Sequence, residues 1–441
     1  MTGTETPKAV AGHPARLTVI GVDGSPLDTA ARTALASADL IVGARQLLDA
    51  LPAGVTGERL PLGKLDPALQ RLRAVLGDPA SPGGVVVLAG GDPGLFGIVR
   101  HLREEGLAPE VVPAVSHIAT LFARLGRSWE SAAVVSAHGR DLTPALNACR
   151  ALPTVAVLTG PGAGPAELGA GLIGWPRRLN VGQRLGTDEE DVSTDLTPEQ
   201  AAAGTWAEPN SVVVLAAPAD PRANPPGRAP LPPDRQEAGP VPADPGGAPW
   251  HNQPAAAPPA GWALPEEAYA HRNSMITKRE VRALAVARLR PRLGQLIWDV
   301  GAGSGSVGIE CAALGAAVIA VDADPNACDL VRDNAARHEV TVRVVPGAAP
   351  PALAALPDPD AVFIGGGGIQ VLRAVAARRP PRLVAALAGL DRLVTAVHLL
   401  RDHGYQVDAV QLSASRLADL GQYSLRLTGT NPIVILTGER S

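Results

Sequence analysis

The stretch from Leu296 to Glu310, LIWDVGAGSGSVGIE, constrains the fold more than any other part of the 441-residue chain. An apolar run with β-branched and aromatic members (Leu296, Ile297, Trp298, Val300) meets Gly301, Gly303 and Gly305, and helix-compatible residues follow from Val307 to Leu314. The order is strand, glycine turn, helix start. Three glycines at alternate positions let the backbone turn sharply and leave no side chain between the main chain and a ligand. The ligand then sits at the carboxyl end of the strand, beside a helix N-terminus. The next strand, Ala317 to Val321, ends in Asp322, whose carboxylate is placed to accept both hydroxyls of a ribose. The pattern calls for a nucleoside.

Two cofactor classes fit this turn. Gly303-Ser304-Gly305-Ser306-Val307-Gly308 satisfies the dinucleotide fingerprint, with Asp322 about 20 residues on. Asp299 favours the other class, because a carboxylate inside the strand end, two residues before the first glycine, repels a pyrophosphate and suits the ammonium of a methionine group. The string D-x-G-x-G-x-G, with Asp299, Gly301, Ala302, Gly303, Ser304 and Gly305, resembles the first motif of the Rossmann-like S-adenosylmethionine (SAM) methyltransferases. SAM is the expected cofactor, a nicotinamide dinucleotide is the alternative, and a turn without a ligand is the bland reading.

The rest of the C-terminal half repeats the α/β rhythm. Thr277 reads as an N-cap with Glu280 at N3, a capping box for a helix from Lys278 to Arg288. After the glycine turn, 342–345 leads to Gly347-Ala348-Ala349-Pro350, 361–364 leads to four glycines from Gly365 to Gly368, and 382–386 is a fifth strand. The segments 406–412 and 433–437 complete seven strands, the last expected to be antiparallel and joined by a hairpin-like return.

The N-terminal half shows the same alternation. Strands are expected at 17–22, 39–42, 85–88, 111–115, 132–135, 155–158, 179–182 and 212–215, with a helix at 29–38. Several end in small or polar residues expected to face a shared cleft: Gly90-Gly91-Asp92-Pro93 running to Gly97, Ser116-His117, Ser136-Ala137-His138-Gly139-Arg140, and the segment 183–190 containing Arg184 and Leu185. Between the halves, residues 218–259 hold 14 of the 43 prolines and no long apolar run. Such a segment builds neither helix nor ladder, so an extended linker is expected. The expected division is 15–217, a linker at 218–260, and 261–441.

A net charge of -4 argues against a general nucleic-acid binder. Cys149, Cys311 and Cys328 stand at unrelated spacings without a CxxC pair, which suits reduced thiols in the cytoplasm. No run of 18 apolar residues occurs, so no membrane span is expected. No metal-ligand cluster is visible.

With these motifs in hand, both halves resemble known families. LTVIGV, LAGGDPGLFGI, VPAVSHIATLFARLG, VVSAHGR and VGQRLGTDEE resemble, in order, the tetrapyrrole methylase family, specifically its precorrin C5 methyltransferases. MITKREVRALAVARL, IWDVGAGSGSVGIE, VDADP, FIGGGG and TNPIVILTG resemble the methyltransferases that act on C15 and decarboxylate the C12 acetate. In this order the two sets resemble the precorrin-6Y C5,15-methyltransferase (decarboxylating) family of cobalamin biosynthesis. The resemblance implies an N-terminal tetrapyrrole methylase (class III methyltransferase) fold and a C-terminal Rossmann-like class I SAM methyltransferase fold. It implies two SAM sites, one per domain, a precorrin substrate, no nucleic-acid or membrane partner, and a homo-oligomer. It places SAM contacts on Thr277, Gly301 to Gly305, Asp322 and Ala349 in the second domain. In the first it places them on Gly91, Asp92, Pro93, Ser116, His117, Ala137 and Leu185.

The chain departs from the pattern in three places: GVDGSP replaces a more glycine-rich first turn, Ala348 stands where many relatives have Asp, and AALAGLDR (385–392) lacks a common T-L-E segment. No catalytic residue is assigned. His138 and Arg140 are the candidates, and Arg140 and Arg184 are placed to bind substrate carboxylates. Transfer of a methyl from a sulfonium needs alignment and exclusion of water more than a strong base. Rival readings are SAM-dependent methylation of another small molecule or RNA, an NAD-dependent oxidoreductase, and a noncatalytic scaffold that keeps SAM-type folds.

Overall fold

A computed structural model describes residues 16–63, 65–78, 80–81, 83–217, 261–272, 276–419 and 425–440. The proline-rich segment expected as a linker, 218–260, lies outside the described residues. Two compact units are present. One takes residues up to 141, 155–171 and 179–214, and the other takes 142–154, 172–178 and the chain from 215 on.

The first sheet contains β1 (Leu17–Val22), β2 (Leu40–Gly43), β3 (Glu58–Pro61), β4 (Val85–Gly90) and β5 (Glu110–Val112) in the order β3-β2-β4-β1-β5. Its pairings are parallel. Parallel strands are covered on both faces, so their sequences are continuous apolar runs rather than alternations. Val85 and Val87 enter one core cluster with Leu17, Val19 and Leu40, while Val86 and Leu88 enter the opposite one with Ile20, Ile41 and Leu35. Each fully buried aliphatic side chain of this kind contributes about 1.5–3 kcal/mol. The helix Thr29–Ser37 begins at Asp28, whose carboxylate accepts the Ala31 amide at 2.7 Å.

The second sheet comprises β6 (Ala133–Ser136), β7 (Thr154–Leu158), β8 (Arg177–Gln183), β9 (Asp191–Leu196) and β10 (Asn210–Ala216), ordered β6-β7-β10-β8-β9. β3 and β9 had no counterpart in the sequence reading. Both are edge strands without a buried residue, ERLP and DVSTDL, and so carry no apolar run to announce them.

The third sheet holds β11 (Leu296–Val300), β12 (Ala317–Asp322), β13 (Val342–Pro346), β14 (Ala361–Ile364), β15 (Arg382–Leu387), β16 (Gln406–Leu412) and a last strand. Between β16 and that last strand stands a separate hairpin, β17 (Ser415–Asp419) with β18 (Leu425–Gly429), in place of the expected simple return. The last strand is β19 (Ile433–Glu439). The order β13-β12-β11-β14-β15-β19-β16 places β19 antiparallel to both neighbours. The chain leaves β11 toward β12 on one side and later returns to β14 on the other, so the strand order reverses between β11 and β14. Ligands of open α/β sheets bind beyond the carboxyl ends of the strands at such a point.

The sheet's alternation sets which side chains reach which layer. Leu296, Trp298 and Val300 join a core with Ile319, Val362 and Val375, while Ile297 points the other way into a core with Val307, Phe363 and Val384. Asp299 shares that second face. The helix of this layer, Arg279–Leu289, corrects one expectation: its N-cap position is Lys278, and Thr277 does not cap it. Glu266 accepts the Arg279 amide at 2.7 Å instead, and Glu280 binds Arg416 at 2.7 Å rather than closing a box. A carboxylate brought in from another segment has displaced the local cap, which no i, i+3 pattern could reveal.

Candidate active site

In the second unit Gly301, Gly303 and Gly305 all take left-handed φ, at 70°, 58° and 73°, a region only glycine enters without strain. The Gly301 amide donates to Val321 O at 2.8 Å, and the Gly365 amide donates to Val300 O at 2.9 Å, so the ends of β11, β12 and β14 are stitched together. A Cβ on Gly301 would lie 2.8 Å from Gly366 N, whereas one on Gly303 would meet nothing within 4 Å. The bare backbone at Gly303 faces open space.

Asp322 closes this crevice. Its Oδ2 accepts the Gly303 amide at 2.8 Å and its Oδ1 the Asp324 amide at 2.9 Å. Each carboxylate oxygen accepts more than one bond, so capacity remains for a diol. Capping of the next helix, Pro325–Arg337, falls to Asp324, which accepts the Asn326 amide at 2.9 Å. The Gly347 amide donates to Asp322 O at 2.8 Å, which brings the segment ending in Ala349 to the same strand end. Ser304 is buried, and its carbonyl accepts Asn334 Nδ2 at 2.9 Å; the Ala302 carbonyl accepts the Gly305 amide at 2.8 Å. Thr277 is tied elsewhere: its carbonyl accepts Arg282 Nη1 at 2.8 Å.

Replacing Asp322 by alanine is expected to weaken SAM binding at this crevice by about 1–3 kcal/mol, the cost of leaving a hydroxyl pair without its acceptor. Calorimetry that returns an unchanged affinity would count against this placement of the ribose.

Asp299 lies beneath the turn, 1% exposed. Its Oδ2 accepts the Gly308 amide from the helix Ser306–Ala313 at 2.9 Å, and its Oδ1 has no partner among the described residues. Burial pushes its pKa up to about 7, with the Gly308 amide opposing and the Asp322 charge adding to the rise. The sign of the pH effect follows from linkage. The folded-state pKa lies above the unfolded one, so the unfolded chain releases this proton first and Asp299 lowers stability progressively from about pH 4 to pH 7. Asp299→Asn is therefore expected to gain stability relative to the parent as pH rises across that window. Denaturant midpoints measured at both ends of it check this, and a pH-independent difference would refute it.

Four segments of the first unit meet at its own strand ends. Asp23, just past β1, accepts the Val115 and Ser25 amides, each at 2.9 Å. Burial alone would raise its pKa, but these amides outweigh that and hold the carboxyl below its usual range. Gly24 abuts the Gly186 backbone closely enough that a Cβ would lie 1.6 Å from Gly186 O. The Gly91 amide donates to Val22 O at 2.7 Å, and Asp92 Oδ1 accepts the Gly94 amide at 2.7 Å around the buried Pro93. Ser116 caps the helix His117–Arg124 through the Ala119 amide at 3.1 Å. Burial holds His117 below the usual histidine pKa, with Asp23 opposing. A cavity of about 650 Å³ opens between the 23–25 turn, the helix and the 186–190 loop.

The remaining candidates are placed unequally. Ala137 is buried, with its amide on Leu158 O at 2.8 Å, and Leu185 is buried in the core. His138 makes a structural contact, Nδ1 to Thr159 O at 2.9 Å. Arg184 is paired with Glu189 on the surface. Arg140 lies 5.6 Å from the Phe96 ring centroid and has no ion pair among the described residues, so its guanidinium stays available beside the Gly90–Gly97 loop.

Comparison with known proteins extends over both units. Residues 25–199 match the family described as tetrapyrrole (corrin/porphyrin) methylases, and residues 267–438 match the precorrin methyltransferase domain. A precorrin-6Y C(5,15)-methyltransferase [decarboxylating] from Sinorhizobium sp is 32% identical over 439 residues, covering 96% of this chain and 95% of that protein. The chain belongs to the precorrin-6Y C5,15-methyltransferase (decarboxylating) family. A second member, from Mycobacterium tuberculosis, is 31% identical over 80% of each chain. A protein from Pyrobaculum calidifontis called a probable cobalt-precorrin-6B C(15)-methyltransferase (decarboxylating) is 36% identical over 40% of this chain and 94% of its own length. As a methyltransferase family, these proteins draw the methyl group from SAM. No helix among the described residues is long and apolar enough to cross a membrane.

Proposed function

We propose that this member of the precorrin-6Y C5,15-methyltransferase family methylates its precorrin at C5 in the first unit and at C15 in the second, where the C12 acetate also loses CO2, as a step of cobalamin biosynthesis. The observation that carries the division is one glycine-lined strand-end crevice in each unit of a chain that matches a bifunctional relative over nearly its whole length. Each crevice would hold its own SAM, and the working domains would be 15–217 and 261–441.

When bound, SAM supplies a methyl group activated by a positive sulfur. The chain's residues do the positioning. In the second unit the bare backbone at Gly303 would admit the methionine moiety and Asp322 would accept the ribose hydroxyls, with Asp299 beneath the turn on the side proposed for the ammonium. In the first unit the cavity is lined by Asp23, Gly24, Val115 and the 186–190 loop; the Gly91–Pro93 turn, Ser116, His117, Ala137 and Leu185 would supply the SAM contacts at the neighbouring strand ends, and Arg140 would take a substrate carboxylate. The electron-rich carbons of a reduced tetrapyrrole are the nucleophiles, so neither site requires a strong base or a metal.

A homo-oligomer is supported by the hairpin β17–β18, where Leu417, Leu425 and Leu427 are each more than 60% exposed. The small negative net charge favours a small-molecule acceptor over RNA. Incubating the chain with SAM and precorrin-6Y should give a product with two added methyls and one lost CO2 by mass, and calorimetry should count two SAM sites. Saturable NADH binding with no methyl transfer would favour the oxidoreductase reading instead.

A further inference from the structure

Beyond the ends of β14 and β15 the second unit has a cavity of about 320 Å³, walled by Gly365–Gly368 on one side and by residues 385–392 on the other. Leu372, Leu387 and Ala396 make its apolar floor. The glycine wall is the same backbone that abuts the cofactor turn, since Gly366 N stands 2.8 Å from where a Gly301 Cβ would be. The cavity therefore adjoins the crevice described above. A methyl acceptor must do so, because the reacting atoms have to come within about 3–3.5 Å of each other.

Among the lining residues Arg392 is the one cation. Its contact with Asp391 is loose, Nε to Oδ2 at 3.7 Å with the two side chains 64% and 75% exposed, and such pairs hold an arginine weakly. Neither Nη has a hydrogen-bond partner among the described residues, and Nη1 lies 3.5 Å from where a Gly368 Cβ would be. The planar fork is thus free over the glycine wall, with the geometry that grips a carboxylate through two parallel bonds. None of this was legible in the sequence, where the segment was notable only for lacking a familiar motif.

We infer that this cavity receives one edge of the macrocycle and that Arg392 binds a peripheral carboxylate which the reaction leaves in place, turning the neighbouring ring toward the transferable methyl. This rests on the proposed action of the second unit on a precorrin. The carboxylate gripped cannot be the one expelled. When CO2 leaves, the C–C bond breaks, its electron pair passes to the methylene carbon and into the conjugated ring, and a proton then completes the methyl group. A cation on that carboxylate would stabilise it against loss, whereas the apolar floor strips it of solvent.

The test uses the full chain with saturating SAM and increasing precorrin-6Y, scoring C5 methylation, C15 methylation and CO2 release separately. Arg392→Ala is expected to raise the acceptor KM for C15 methylation and CO2 release together by about 10- to 100-fold, the range of a charge-assisted contact. SAM affinity and C5 methylation should stay at parental values. Arg392→Lys should recover part of the loss, because it keeps the charge but not the fork. A parental KM in Arg392→Ala overturns the inference, as does a matching fall in SAM affinity, which would mean a structural role. Loss of CO2 release with methylation intact overturns the assignment to a retained carboxylate. A parent chain that adds nothing at C15 removes the underlying reading itself, and the two failures are thereby distinguished.

Discussion

Gly303→Val is expected to abolish SAM binding at the second crevice and, with it, both C15 methylation and CO2 release, while C5 methylation continues. Two effects combine. The backbone at this position has φ of 58°, where a β-branched residue costs on the order of 1–3 kcal/mol. The side chain would also project into the open space beside the turn rather than into protein, since nothing lies within 4 Å of its Cβ. The proposed site puts the methionine moiety in that space, so the folded protein would survive with its ligand excluded. An affinity loss of at least about 100-fold is expected, roughly 2.7 kcal/mol. Calorimetry should fall from two sites to one, and the product should carry a single new methyl. A Gly303→Val chain with ordinary C15 methylation would move the ligand away from this turn.

The second large effect is on stability. Arg282 and Glu310 form an ion pair with side chains 0% and 1% exposed, Nε to Oε1 at 2.6 Å. Glu310 also accepts the Ala263 amide at 2.9 Å, the Leu264 amide at 3.1 Å and the Tyr269 hydroxyl at 3.1 Å. The Arg282 guanidinium sits 4.7 Å from the Tyr269 ring centroid and also binds the Leu264 and Thr277 carbonyls. The pair thereby pins the segment entering this unit onto its body. Removing one member leaves a buried charge with no counterion, so Glu310→Leu should destabilise the second unit by about 3–5 kcal/mol. Arg282→Met together with Glu310→Leu should cost less than Glu310→Leu alone, because no charge is orphaned, and the loss that remains is that of the Ala263 and Leu264 amides and the Tyr269 hydroxyl left without their acceptor. Denaturant unfolding of the single and double variants checks this. A loss under about 1 kcal/mol for Glu310→Leu would mean that solvent reaches the pair.

Parts of this molecule were written in local pattern. Buried parallel strands declare themselves as short apolar runs, so β1, β4, β11, β12 and β14 and the antiparallel last strand of the third sheet could be placed from residue order. Glycines at 301, 303 and 305 demanded left-handed backbone, and Asp322 at a strand end demanded a polar partner there. Those requirements follow from steric and hydrogen-bonding rules acting over a few residues, and they hold whatever surrounds them.

Other features depend on residues far apart in the chain. Glu266 supplanted Thr277 at a helix start, and Glu310 met Arg282 and Tyr269 across three segments. Edge strands β3 and β9 pair through backbone groups that leave no apolar mark on their sequences. Asp299 read as a carboxylate beside the ligand, but burial raises its pKa: only the packed sheet shows that one oxygen is held by Gly308 and that the other has no partner among the described residues. Arg392 was one arginine in a segment marked only by a missing motif until the sheet set it over a glycine wall. The sequence alone determined which backbone conformations and which layers are available. The tertiary structure decided which charges are paired, which are stranded, and which space is left for a ligand, because desolvation and pairing are properties of the neighbours a side chain acquires and not of the side chain itself.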